Sequence, residues 1–265
     1  MAALSVIVLT RNEEENIAEC LSGVAWADEV IVIDSGSTDG TMAIAKRFTP
    51  LVISLPWKGY GAARNSGIQR ATGEWVLWLD ADERVPPELA DEIRRVVRAN
   101  DPSVAGYSVA RRAYFCGKWI RHAGWYPSRV VRLFRRELGR LTESNVHERL
   151  LLNGPTGELR NDLLHFTDPS LQHYFEKFNT YSTLAAQDMM TAGRKFRIVD
   201  IVVRPLYQFL KMYILRLGVL DGIHGFILST ASSAYVFAKY AKLWELEKAD
   251  HSKGEDRWNS PTNTK

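Results

Sequence analysis

Gly73-Glu-Trp-Val-Leu-Trp-Leu-Asp-Ala-Asp-Glu83 decides how this 265-residue chain is read. The run of tryptophan, valine and leucine has the length and composition of a strand buried on both faces, and it stops at three acids separated by one alanine. At a strand end the side-chain period is near two, so Asp80 and Asp82 point the same way. Two carboxylates held that close are costly unless a positive charge sits beside them. Hard carboxylate oxygens suit Mg²⁺ or Mn²⁺, which in turn holds the phosphates of a nucleotide. The same acids also suit the first turn of a following helix, because Pro86-Pro-Glu88 reads as a helix start. Cation site and helix cap are both open at this point.

Towards the N-terminus the chain alternates strands and helices. Leu4-Ser-Val-Ile-Val-Leu9 reads as a strand, Thr10-Arg-Asn-Glu-Glu-Glu-Asn16 as a polar turn, and a helix follows through Ile17 and Leu21. A second strand, Glu29-Val-Ile-Val-Ile33, ends in Asp34-Ser-Gly-Ser-Thr-Asp-Gly40, with helical spacing over residues 41–48. A third strand over 50–55 leads into Gly59-Tyr-Gly-Ala-Ala-Arg-Asn-Ser-Gly67 and a helix carrying Arg64. Such alternation predicts βαβ units, right-handed crossovers and a mainly parallel sheet, with the ligand site beyond the carboxyl ends of the strands. Thr10, Arg11, Glu13, Asp34, Asp39, Asp80 and Asp82 all fall at that edge. Taken alone, the 34–40 loop is equally a helix-capping turn. There is no lysine-bearing phosphate loop and no G-x-G-x-x-G after the first strand, which argues against P-loop and dinucleotide chemistry.

Composition narrows the classes further. A net charge of +3 with no nucleic-acid signature gives no reason to expect DNA or RNA as a partner. Cys20 and Cys116 are far apart and lack partners at metal spacing, which suits a reducing compartment. The N-terminus enters a strand without a signal-peptide pattern, so a cytoplasmic enzyme is expected.

Ser5-Val-Ile-Val-Leu-Thr-Arg-Asn-Glu-Glu14, Val30-Ile-Val-Ile-Asp-Ser-Gly-Ser-Thr-Asp-Gly-Thr41, Gly61-Ala-Ala-Arg-Asn-Ser-Gly67 and Leu79-Asp-Ala-Asp-Glu83 resemble the successive motifs of glycosyltransferase family 2. Within it, Val146-His-Glu148, Leu164-His165 and Leu220-Asp-Gly222 resemble the branch of lipopolysaccharide-core β-1,4-glucosyltransferases. The resemblance implies an α/β, Rossmann-like GT-A fold, a nucleotide-sugar donor such as UDP-glucose, a divalent metal, and inversion at the anomeric carbon. It implies a lipopolysaccharide-core or other lipid-linked glycan as acceptor. Carried over residue by residue, it puts Thr10, Arg11, Glu13 and Asp34 at the nucleotide, with Asp34 at the base and Glu13 near the ribose. Arg64 falls beside the donor, Asp80 at the donor sugar or ribose, and Asp82 on the metal, with Asp80 as a further metal candidate. It also places the catalytic base in the Val-His-Glu triplet. By their chemistry alone, His165 and His147 suit either metal ligands or orienters of the base, and a lone histidine is more often structural.

Inversion by single displacement needs a base for the acceptor hydroxyl, and a carboxylate suits that task. Among Glu143, Glu148, Asp162 and Asp168, Glu148 is favoured and Glu143 comes second; the family's more familiar Glu-Asp pair is absent. Between residues 104 and 140, Arg111, Arg112, Lys118, Arg121, Arg129, Arg132, Arg135 and Arg136 make either a face for an anionic acceptor or lipid, or a solvated surface. Trp119, Trp125 and Tyr126 suit a sugar platform or a core.

The domain reading is a catalytic domain over 1–168, a helical region over 169–250 and a disordered tail over 251–265. Residues 171–190 have the spacing of one long helix, and Arg197, Arg204 and Lys211 recur every seventh position beside apolar residues. That stripe predicts a helix lying on an anionic membrane, peripheral to its inner face. The apolar run 218–238 contains Asp221 and His224, which disfavour a full span. The competing functions are a nucleotidyltransferase, which would want a glycine-rich basic loop after the first strand, and a non-catalytic nucleotide-sugar-binding module.

Overall fold

The computed structural model describes residues 3–56, 59–142 and 149–258, and the chain forms two compact units. The first comprises residues 1–114 and 126–167; the second comprises 115–125 and everything from Asp168 onward. The expected boundary after 168 therefore falls one residue away, and a short piece of the middle of the chain joins the C-terminal unit.

The strands in chain order are β1 (Leu4–Thr10), β2 (Glu29–Asp34), β3 (Val52–Ser54), β4 (Trp75–Asp80), β5 (Glu83–Arg84) and β6 (Gly106–Phe115). They continue with β7 (Lys118–Trp119), β8 (Ser128–Arg135), β9 (Gly139–Leu141), β10 (Leu150–Leu152), β11 (Thr156–Glu158) and β12 (Leu163–Asp168). In the first unit the helices are α1 (Ile17–Ser22), α2 (Thr41–Ala45), α3 (Tyr60–Arg70) and α4 (Pro87–Ala99). The main sheet runs β3-β2-β1-β4-β8-β6-β12-β5. Its first four strands are parallel, as the alternating pattern predicts, and β8 then enters antiparallel to both β4 and β6. The result is a mixed sheet whose parallel half carries the quoted motifs.

Strand alternation sorts the core into two layers. Leu4, Val6 and Val8 of β1 point with Trp75, Leu77 and Leu79 of β4 towards Ile17 and Leu21 of α1 and Leu89, Ile93 and Val97 of α4. Ile7 and Leu9 point the other way with Ile31, Ile33, Val76 and Trp78, onto Ala63 and Ile68 of α3. β1 is buried at all seven positions, in keeping with a sequence that is apolar apart from Ser5 and Thr10. The parallel register sets Thr10 opposite Asp34, Asp34 opposite Ser54, and Leu9 opposite Asp80, so the polar strand ends finish at one level.

In the second unit, α5 (Leu171–Thr191), α6 (Ile198–Leu210) and α7 (Ile223–Trp258) account for most of the chain. α5 begins where the spacing predicts, with the Ser170 side chain accepting from the His173 amide as an N-cap. α6 contains Pro205 and runs into a π-helical turn, Lys211–Leu215. α7 extends to Trp258, past His251 where a disordered tail was expected to begin; residues 259–265 lie outside the described residues. Among the described residues no helix is long and apolar enough to cross a membrane.

Gly67 is where α3 meets β1 most closely: a Cβ there would stand 2.6 Å from Ile7 Cγ2 and 3.3 Å from Ile33 Cγ1. Gly67→Val is expected to destabilise the protein by about 1–3 kcal/mol through overpacking. The check is the midpoint of urea unfolding, which should fall with an unchanged slope.

Candidate active site

Two loops at the carboxyl ends of β1 and β2 are sewn to each other. The amide of Asn12, a left-handed residue at φ 54°, donates to Ser37 Oγ at 2.8 Å, and its side-chain oxygen accepts the Thr38 amide at 2.8 Å. The Glu13 amide donates to Thr41 Oγ1 at 2.8 Å, and its carboxylate accepts from Asn16 Nδ2 at 2.7 Å. Asp34 is fully buried; one oxygen accepts the Gly36 and Ser37 amides at 3.0 Å each and the other accepts the Ser37 hydroxyl. Asp34 thus builds the loop that was read as a capping turn, and Asp39 completes it by accepting the Thr41 amide at 3.0 Å. Arg11 is exposed beside them. Thr10 Oγ1 and Ser35 Oγ are buried without a hydrogen-bond partner among the described residues, and the Ser35 amide bonds to the Thr10 carbonyl at 3.0 Å. Buried orphan hydroxyls cost about 1–3 kcal/mol each, and at these adjacent strand ends a polar group from outside the chain would offset that cost.

The acids after β4 do not cap α4. Its N-cap is Pro86, without a side-chain bond, and Asp80 and Glu83 turn to arginines instead. Asp80 Oδ1 lies 2.5 Å from Arg64 on α3, and Oδ2 lies 2.9 Å from Arg132 on β8. Arg132 also reaches Glu83 Oε1 at 2.5 Å, while Glu83 Oε2 accepts the Asp80 amide at 3.0 Å. Both guanidinium groups stack on Trp78, at 4.1 Å for Arg64 and 4.4 Å for Arg132. Burial works to raise the Asp80 carboxyl, but Arg64 and Arg132 overcome it and hold the group well below the usual carboxylate range. Glu83 is wholly enclosed, and there burial outweighs Arg132 and pushes the carboxyl up. The positive charge beside Asp80 is therefore supplied by the protein itself.

Asp82 is placed differently. β12 pairs antiparallel with β5, setting His165 opposite Glu83, and the Phe166 amide donates to the Asp82 carbonyl at 2.9 Å. This backbone pairing brings His165 Nε2 to 3.3 Å from Asp82 Oδ2, with both side chains mostly shielded. An oxygen and an imidazole nitrogen at that distance suit a divalent cation. Among the described residues there is no group of three or more histidines, cysteines, aspartates or glutamates placed to hold an ion. Asp82 and His165 fit a cation as a pair, whereas Asp80 is committed to its arginines.

Glu143, Glu148 and His147 lie outside the described residues. Much of the basic middle segment is spent on structure: Arg112 pairs with Asp162 at 2.7 Å, Arg135 with Glu74 at 2.6 Å, and Arg136 donates to the Gly73 carbonyl at 3.0 Å. These three arginines therefore have partners within the chain, where the sequence left open an anion-binding face or a solvated surface. Tyr126 donates to Asp162 at 3.1 Å, and Trp125 packs edge-on against Phe115, so both have core partners. Asp162 is held by Arg112 and Tyr126, while Asp168 lies in the second unit 3.8 Å from Lys177. The sequence reading missed the pairing of Arg132 with Glu83. One signal was available: an arginine between Val131 and Leu133 on a buried strand requires an acid partner.

Comparison with known proteins adds three findings. The family model described as glycosyl transferase family 2 matches residues 5–151. The lipopolysaccharide core biosynthesis glycosyltransferase LpsC of Rhizobium meliloti is 31% identical over 250 residues, covering 91% of this chain and 92% of that protein. An uncharacterized glycosyltransferase of Rickettsia typhi is 29% identical over 257 residues, covering 93% and 88%. Among solved structures, the mannosyltransferase PcManGT from Pyrobaculum calidifontis, in complex with GDP-Man and Mn²⁺, has the same fold. It superposes with a TM-score of 0.54 and 19% identity over 92% of this chain and 87% of that one.

Removing Arg132 would leave Glu83 buried without its cation and Asp80 with one arginine. Arg132→Leu is expected to lower stability by about 3–5 kcal/mol at pH 8, the usual scale for breaking a buried pair. The loss should be smaller at pH 5. With its pKa already raised in the folded state, and raised further without Arg132, Glu83 takes up a proton as pH falls and the unpaired charge disappears. Urea unfolding at the two pH values measures this.

Proposed function

The chain belongs to glycosyl transferase family 2, and from that premise we propose that it transfers glucose from UDP-glucose, with inversion, to a lipopolysaccharide-core or other lipid-linked glycan at the cytoplasmic membrane face. The observation that carries this reading is the common edge of the parallel strands. There the orphan hydroxyls of Thr10 and Ser35, the aligned Asp34 and Asp80, and the Asp82–His165 pair meet the needs of a nucleoside, a sugar and a diphosphate. The similarity to LpsC along nearly the whole chain supports the acceptor class. Two unpaired cysteines are in keeping with a reducing compartment.

In the proposed reaction Thr10, Arg11 and Glu13 receive the nucleoside, and Asp34 acts through the 35–37 loop that it holds in place. Asp80 faces the donor sugar or ribose, locked by Arg64 and Arg132 so that it keeps its charge and direction. Asp82 and His165 would hold Mg²⁺ or Mn²⁺, which supplies neutralisation of the leaving diphosphate when bound. An acceptor hydroxyl oxygen attacks the anomeric carbon from the face opposite the nucleotide. The bond from that carbon to the diphosphate oxygen breaks, and its electron pair leaves with the nucleotide. The Glu148 carboxylate takes the hydroxyl proton, with Glu143 as the other candidate for that role.

Two measurements test the assignment. Glu148→Gln is expected to keep donor binding and lower turnover by about 10²-fold or more, the usual scale for loss of a general base. Near-normal turnover, with the loss appearing in Glu143→Gln, would move the role to Glu143. Asp82→Asn is expected to abolish the Mn²⁺-dependent part of UDP-glucose affinity in calorimetry while leaving the melting temperature unchanged. Equal donor affinity of the parent with and without chelator would remove the metal from the reading. Mass spectrometry of the products from a panel of nucleotide sugars identifies the donor, and failure of UDP-glucose alone would transfer the proposal to another sugar.

A further inference from the structure

α6 is inverted relative to an ordinary surface helix. Its one acid turns inward: Asp200 is buried, pairs with the half-exposed Arg204 one turn on, and lies 3.6 Å from Arg194. Arg194 and Arg204 also lie over the ring of Tyr240 on α7, at 5.2 and 5.6 Å. Its apolar groups turn outward. Ile198, Val202 and Leu206 on α6 and Leu215, Leu220 and Ile223 in the turn beyond it are 59–77% exposed. Single exposed aliphatic residues are ordinary, but a contiguous set of this kind marks a surface that is covered in use.

The charges around this face indicate what covers it. Of the lysines, arginines, aspartates and glutamates between residues 194 and 226, every one that reaches solvent is a cation: Arg194, Lys195, Arg197, Arg204, Lys211 and Arg216. The two acids, Asp200 and Asp221, are buried, and Asp221 accepts the Arg121 and His122 amides at 3.2 and 2.9 Å. Lys195, Arg197, Lys211 and Arg216 have no carboxylate partner among the described residues. A second copy of the chain would bring the same cationic rim against itself, and like charges across an interface are repulsive. Residues 259–265, Asn-Ser-Pro-Thr-Asn-Thr-Lys, offer Pro261 as their one apolar side chain, too little to cover the face. A protein partner would want roughly one hydrogen bond per 100–200 Å², and the outward side of α6 presents little besides aliphatic carbon. An apolar centre with an unmixed cationic rim instead matches the acyl boundary and headgroups of an anionic bilayer.

We infer that the outward face of α6 and the following turn, residues 198–223, is the surface by which this protein lies on an anionic lipid bilayer, entering the interface without crossing it. Apolar insertion comes from Ile198, Val202, Leu206 and Leu220, and attraction comes from the unpaired cations rather than from a continuous stripe, since Arg204 is occupied by Asp200. The inference goes beyond the assignment of donor and acceptor, and its test involves no catalysis.

The full chain is sedimented with vesicles of phosphatidylcholine alone and with about one third phosphatidylglycerol, at low and high salt. The parent is expected to bind the anionic vesicles and to weaken with salt. Val202→Ser/Leu206→Ser/Leu220→Ser, all at exposed positions, is expected to keep the parent's circular dichroism and melting temperature and to bind at least tenfold more weakly. Lys195→Gln/Arg197→Gln is expected to lose about fivefold in affinity per cation on anionic vesicles only. A parent that stays in the supernatant, or a triple variant that binds like the parent, overturns the inference. A parent that is dimeric in solution, with a monomeric triple variant and no vesicle binding by either, gives the face to a second copy and overturns it too. Bound protein that resists alkaline extraction overturns the peripheral part.

Discussion

Arg132 stands between Asp80 and Glu83, and its burial forces much else in the first unit. A guanidinium group withdrawn from water is tolerated only where carboxylates and a polarisable surface replace its solvation. Asp80 and Glu83 supply the charge, and the face of Trp78 supplies a cation–π contact that it also gives to Arg64. For those contacts to form, β8 must lie against β4 in the observed register and α3 must begin over the end of the same strand. The change from parallel to antiparallel pairing therefore coincides with the acidic strand end, and the chemistry and topology meet at one cluster. The cluster also explains why two acids so close in sequence behave so differently. Asp80, with two arginines, stays ionised, whereas Glu83, with one and no exposure to solvent, is driven towards its neutral form.

A second constraint acts through the backbone. β5 is only two residues long, yet its pairing with β12 carries His165 from near the end of the unit to the side of Asp82. Asp80 and Asp82 are thereby separated in their partners: Asp80 meets Arg64 and Arg132, and Asp82 meets the imidazole of His165. The stitching of the first two loops through Asn12, Ser37, Thr38 and Thr41 does comparable work on the other side of β1. There the backbone is braced by its own side chains while the Thr10 and Ser35 hydroxyls are left unsatisfied.

The C-terminal unit obeys a different logic. α5 and α7 enclose small residues such as Ser182 and Ala186, while α6 buries Asp200 and exposes its aliphatic side. Burying charge and exposing carbon is unfavourable in water. That inversion is understandable when the outward environment is itself apolar.

Much of this was legible in the chain without coordinates. The apolar runs ending in polar clusters at Thr10, Asp34 and Asp80 determined the parallel half of the sheet, because a strand buried on both faces has to be continuously apolar and its ligand-facing end has to be polar. The motif series pointed to the family in the same way: the first two motifs span the ends of β1 and β2 with the turns that follow, the third lies within α3 and the fourth joins β4 to β5. Which arginine pairs with which acid was not legible, since the segment 104–140 offers many cations of similar local context and only the β4–β8 register selects Arg132. The approach of His165 to Asp82 was likewise a tertiary decision, made by a short antiparallel pairing that sets His165 opposite Glu83. The basic stripe on α6 was visible as a period, but its direction was not. Helical spacing says which residues share a face, and only the packing against α7, where Tyr240 lies beneath Arg194 and Arg204, decides which face meets solvent.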